Sequence, residues 1–220
     1  MIKKIITCLS IAGLSIISTT SCTSSSKKEL STSIYLRKDI AIKSDKVIIF
    51  PTMYLSSSNF IAENKNFKGT IIDAKLLASW SSNLANIKPI PVPRQVLNEI
   101  PGAWPSLNIL VSMMDNSEDI KNNKNYSVIE KFVHNITKKY GNNNVLAFSV
   151  VFEDENEYIS SHKVHKNIGL FDTKTMSWKW ITKDVYENPA YLPLPYDAAV
   201  SKIINNSFEA LKKENKNKLF

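Results

Sequence analysis

Cysteine is scarce in this chain, with two among 220 residues, Cys8 and Cys22. Cys8 lies inside an apolar leader and Cys22 just beyond it, so a bridge between them would tie a discarded segment to a retained one. A disulfide framework is excluded. Long apolar runs are also lacking. Ile5 to Ser18 spans fourteen residues and contains Thr7, Ser10, Gly13 and Ser15, short of the roughly twenty a spanning helix needs. There is no glycine-rich phosphate loop and no Gly-x-Ser-x-Gly elbow. Histidine occurs three times. His162 and His165 would share a face in a helix, but their segment reads as extended, where odd spacing separates them. With no cysteine nearby, no zinc site is expected. His134 reads as a surface residue of a helix. The acidic run Glu153 to Glu157 lacks the Asp-x-Asp-x-Asp-Gly form of a calcium loop and reads as a solvated turn. No metal, no cofactor and no catalytic residue is expected.

Basic residues are plentiful, 28 against 20 acidic, for a formal charge of +8. They are scattered, and no stripe interleaves them with aromatics as a nucleic-acid groove requires, so no nucleic-acid partner is expected. Hydrophobic residues make up 43% and charged residues 22%, in the range of one globular domain.

What is present at the N-terminus is an export signal. Lys3 and Lys4 precede the apolar core, and Thr19-Thr20-Ser21 supplies small residues before Cys22. This stretch resembles the bacterial lipobox, with Ser21 as the small residue before the cysteine; it departs from the usual pattern in having Thr19 where leucine is commonest. The resemblance implies cleavage before Cys22 and lipid on its thiol. The residue after it is Thr23 rather than aspartate, which by the same resemblance implies the periplasmic face of the outer membrane. The expected organisation is a signal peptide over 1–21, a lipidated Cys22 and flexible tether over 22–33, one globular domain over 34–212, and a charged tail over 213–220. Plain secretion and an uncleaved anchor are the competing readings of the leader.

Along the domain, residues 34–43 suit an edge strand and Val47 to Pro51 a buried one, followed by a polar loop through Lys68. Ile72, Leu76, Leu77, Trp80, Leu84 and Ile87 recur at helical spacing over 71–87. Pro89, Pro91 and Pro93 exclude a central strand at 88–93 and fit an edge. Helices are expected over 93–102, 106–114 and 126–139, the last capped by Gly141 in the left-handed conformation. Residues 144–152, apolar on both sides, predict a mid-sheet strand. A hairpin turns at 172–176, and Asp197 caps a final helix carrying Val200, Ile203, Ile204, Phe208 and Leu211. The order predicts an α/β fold, a mixed sheet of three to six strands packed with helices in a three-layer-like sandwich.

The strand at Val47 to Pro51, the helix at 71–87, the Ile-Pro-Val exit, the late hairpin Leu170 to Trp178 and the last helix together resemble periplasmic lipoproteins. The families in question are those of the curli secretion channel subunit and the penicillin-binding-protein activators. The Pro-rich exit and the segment 101–125 depart from that pattern, and no long membrane-inserting hairpin is present. The resemblance implies a non-enzymatic accessory or scaffold of an envelope assembly or secretion system, with an envelope protein or a second copy as partner. Trp104, Tyr191 and Tyr196, with Trp178 and Trp180 on one face of a strand, are the candidate partner surface. A periplasmic hydrolase or wall-modifying enzyme, and a small-ligand-binding lipoprotein, are the alternatives.

Overall fold

Val145, Leu146, Ala147, Phe148, Val150 and Val151 turn apolar side chains to both sides of one strand, so that strand must be covered on both faces. The computed structural model meets this demand with three layers. It describes residues 30–36, 44, 46–56, 65–83, 87–114, 120–141, 145–156, 161–188 and 196–214. Seven strands form one mixed sheet: β1 (Leu30–Leu36), β2 (Lys46–Ile49), β3 (Met53–Ser56), β4 (Lys88–Pro91), β5 (Val145–Asn156), β6 (Ser161–Asp172) and β7 (Ser177–Asn188). The order across the sheet is β1-β7-β6-β5-β2-β4. Strands β2 and β3 lie end to end along β5, pairing with 145–147 and then with 150–153, both parallel. Strand β4 is parallel to β2, whereas β5, β6, β7 and β1 are antiparallel neighbours.

Among the described residues five α-helices cover the sheet: α1 (Lys65–Asn83), α2 (Arg94–Asn98), α3 (Ala103–Met113), α4 (Tyr126–Tyr140) and α5 (Tyr196–Glu214). Alternation along the strands sorts the core in two. Val47, Ile49, Val145, Ala147, Ile168 and Trp180 pack with Leu76 and Trp80 of α1 and Ile203 and Phe208 of α5. Ile48, Phe50, Leu146, Phe148 and Trp178 pack on the opposite side with Leu97, Leu107, Leu110, Phe132 and Ile136 of α2, α3 and α4. The crossover from β3 to β4 uses α1, and the return from β4 to β5 uses α2 to α4. The two crossovers move in opposite directions across the sheet and use opposite faces, as uniform handedness requires.

The α/β three-layer sandwich with a mixed sheet is thus what the residues form. Details differ from expectation for physical reasons. The sheet has seven strands, because residues 53–56, read as loop, pair with β5 as β3. Strand β1 begins at Leu30, opposite Tyr186, so Ser31-Thr32-Ser33 is sheet rather than tether; its uncharged residues gain ladder hydrogen bonds there. Glu153–Asn156 belongs to β5, since an antiparallel ribbon satisfies its own backbone through pairing with Ser161–Val164 whatever the side chains. Helix α1 starts at Lys65. Helix α5 starts at Tyr196, placing Asp197 inside its first turn, and runs to Glu214. Gly141 ends α4 at φ 94°, ψ 168°, a conformation open to glycine but distinct from the left-handed helical cap.

Candidate functional site

The crevice at a topological switch point is where open α/β sheets place their ligands. Here that point lies between β2 and β4, adjacent parallel strands whose following segments leave toward opposite faces. Four polar residues meet there. Between β2 and β3 the chain breaks at Phe50-Pro51-Thr52, since a proline cannot continue the ladder. The Thr52 N–H donates to Asp73 Oδ1 of α1 at 2.7 Å. Its carbonyl accepts from Arg94 Nη2, at the start of α2, at 2.9 Å. Its hydroxyl lies 2.7 Å from Ser149 Oγ of β5, both oxygens buried. Burial pushes the Asp73 carboxyl above its usual range, while the hydrogen bonds from Thr52 and the Arg94 charge pull it back. Both charged side chains thus engage the peptide of Thr52. They splint an interrupted strand, with Asp73 half-buried and Arg94 exposed.

A second polar cluster lies beneath α5. Lys166 of β6 and Asp184 of β7 stand directly opposite in register, on the face that α5 covers, and both are buried. Lys166 Nζ donates to Ser207 Oγ of α5 at 3.3 Å. The Ser207 hydroxyl donates to Asp184 Oδ2, and Asn206 Nδ2 donates to Asp184 Oδ1 at 3.4 Å. Burial lowers the Lys166 amine to about 7, against the opposing effect of the Asp184 carboxylate. An amine, a hydroxyl and a carboxylate in series are the ingredients of acyl-transfer chemistry. Ser207 is nevertheless fully enclosed between α5 and the sheet, so the arrangement fastens the helix. Sequence reasoning missed this cluster. Its signal was present: Lys166 interrupts the inward line Val164, Ile168, Leu170, and Ser207 falls on the apolar stripe of Ile203, Ile204 and Phe208.

Two residues of the predicted partner surface, Trp178 and Trp180, lie in the core. Trp178 and Trp180 were expected on one face, but a bulge intervenes: Phe171 pairs with Trp178 and Leu170 with Trp180, leaving Lys179 as the extra residue. The inserted residue reverses the alternation. Trp178 therefore packs against Phe148 and Phe171 on the α2–α4 side, and Trp180 against Trp80 and Phe208 on the α1–α5 side. Both indoles are at most 2% exposed, which removes them from any surface. Trp104 is half-buried on α3 and donates its Nε1 hydrogen to Asn98 Oδ1 at 2.8 Å. Tyr196 begins α5 in the opposite layer, and Tyr191 lies outside the described residues, as does Cys22 with the whole leader. His134 is exposed on α4. His162 and His165 lie on β6, three residues apart in an extended strand. Among the described residues no three His, Cys, Asp or Glu side chains gather as a metal site.

Fold and site define a single-sheet α/β sandwich with two polar clusters, one bonded to the backbone at Thr52 and the other joining Lys166, Asp184, Asn206 and Ser207. No family model and no curated protein matches the chain. Among solved structures it has a weak, fold-level likeness to PelC from Paraburkholderia phytofirmans, solved as a dodecamer: 10% identity, 83% of this chain and 96% of that one covered, TM-score 0.46. The lipoprotein GNA1162 from Neisseria meningitidis is similar at 14% identity, with 80% and 99% covered and a TM-score of 0.41. A neuraminyllactose-binding hemagglutinin homolog from Helicobacter pylori is similar at 12% identity, with 81% and 84% covered and a TM-score of 0.32.

Proposed function

We propose that this chain is a lipid-anchored accessory protein of the bacterial cell envelope, held through Cys22 on the periplasmic face of the outer membrane. It works by binding protein rather than by chemistry. The observation that carries the reading is the position of Cys22, at the end of an export leader and only eight peptide units before the first strand. Fully extended, that link reaches about 28 Å, so the folded domain stays against the bilayer where envelope partners reside. Two or more acyl chains hold such a domain firmly, each buried methylene contributing about 0.8 kcal/mol. The scaffold role gains support from the polar clusters, whose charged groups are spent on the protein's own backbone and helix.

Labelled-palmitate incorporation in cells, followed by separation of inner and outer membranes, tests the reading. The full-length chain takes up label and sediments with the outer membrane; Cys22→Ala loses both. Mass spectrometry that found an intact leader, or a bare thiol at Cys22, would overturn it.

A further inference from the structure

The two edges of the sheet are finished differently. At one edge, β4 reads Lys88-Pro89-Ile90-Pro91. Val92 donates its N–H to Ile49 O at 2.8 Å. Backbone groups alternate sides along a strand, so Ile90 also faces β2, while Pro89 and Pro91 turn their nitrogens outward. Those nitrogens carry no hydrogen, and the outer edge of β4 has no donor to offer a further strand.

At the other edge, β1 reads Leu30-Ser31-Thr32-Ser33-Ile34-Tyr35-Leu36. Among the described residues it pairs with β7 alone. Its seven residues include no proline, no glycine and no charge, the devices by which natural edges avoid further pairing. Ser33, at the centre, is exposed.

We propose that the outer edge of β1 pairs antiparallel with β1 of a second copy, about a two-fold axis through Ser33, so that two sheets become one. The occupant is a second copy because the strand matches itself. In that register Leu30 stands opposite Leu36, Ser31 opposite Tyr35 and Thr32 opposite Ile34, with no like charges opposed. Residues of equal parity meet, so the α5 layer of one copy lies beside the α5 layer of the other. An isologous contact of this kind closes on itself, and the proline edges stop growth at the far ends. The anchors fit the same geometry. The two Leu30 residues lie about 20 Å apart along the joined strands, and each tether is long enough for both lipids to enter one bilayer. The tether argument rests on the lipid-anchor reading above; the edge argument does not.

The test uses the full-length protein in detergent, with mass measured by sedimentation. The wild type runs as two copies. Ser33→Lys, which opposes two like charges on the axis, halves the mass without changing the thermal melt. Ser33→Cys forms a covalent dimer on mild oxidation, since opposed Cα atoms at about 4.5–5.5 Å suit a disulfide, whereas Asn108→Cys, exposed on α3, does not. A wild type of one copy, a Ser33→Lys protein still paired, or a Ser33→Cys protein that stays uncrosslinked overturns the proposal. The same measurements on Cys22→Ala separate the two readings. Pairing without lipid leaves the edge standing when the address fails; palmitate label on a single-copy protein leaves the address standing when the edge fails.

Discussion

Lys166 shows how one buried residue can set the pH response of a fold. Its amine titrates near 7 in the folded chain against about 10.5 when unfolded. Between those values the unfolded chain holds a proton that the folded one lacks, so stability rises with pH across that window and the cost of burying the charge is fully present below 7. Denaturant midpoints measured from pH 7 to 9 should climb, by on the order of 2 kcal/mol in all. Lys166→Met keeps the bulk and removes the titration, and should flatten the rise while leaving Ser207 and Asn206 on Asp184. Equal slopes for the two proteins would show that the proton resides elsewhere. Gly169 is a second residue with a purely spatial reason: a methyl group there would sit 2.7 Å from the Trp178 ring and 2.9 Å from Met114 Cε. Neither constraint is visible until β6, β7 and their covering helices are brought together.

At the scale of elements, the interruption between β2 and β3 is held by side chains from two helices. Asp73 takes a buried N–H and Arg94 takes a carbonyl, and the two contributions are unequal. Removing a partner that leaves a buried donor unmet costs about 1–3 kcal/mol, whereas Arg94 is exposed and water can replace it. Asp73→Ala should therefore lower stability by that amount, and Arg94→Ala by less than about 1 kcal/mol, read from urea unfolding. The reverse ranking would mean that the guanidinium, not the carboxylate, holds the break. The bulge at Lys179 is the other element-scale device. It sends Trp178 and Trp180 into separate cores, and each indole fills one side of the sheet. A strand without that extra residue would put both rings on one face and leave the other side short of a large apolar side chain.

For the whole molecule, the two edges of the sheet differ in what they offer a further strand. Pro89 and Pro91 close one end of the sheet, and replacing both with threonine would restore outward N–H groups on β4. The double variant should form higher assemblies, seen as rising light scattering at concentrations where the parent stays clear. An unchanged scattering profile would show that something other than the missing donors protects that edge. The proposed lipid anchor on Cys22 belongs to the same scale: it would raise the local concentration of copies without any new contact.

What the residues determined alone follows from short-range physics. Alternation and apolar runs marked β2, β5 and the hairpin of β6 and β7; helical spacing marked α1, α4 and α5; prolines at 89, 91 and 93 marked an edge, because a missing donor is a local property. Only the tertiary structure decided the strand order, the register that opposes Lys166 to Asp184, the bulge that separates Trp178 from Trp180, and the meeting of Thr52, Asp73 and Arg94. Each of these depends on contacts between residues about 20 or more positions apart along the chain, or on a one-residue slip that leaves the sequence pattern unchanged while reversing which face a side chain occupies.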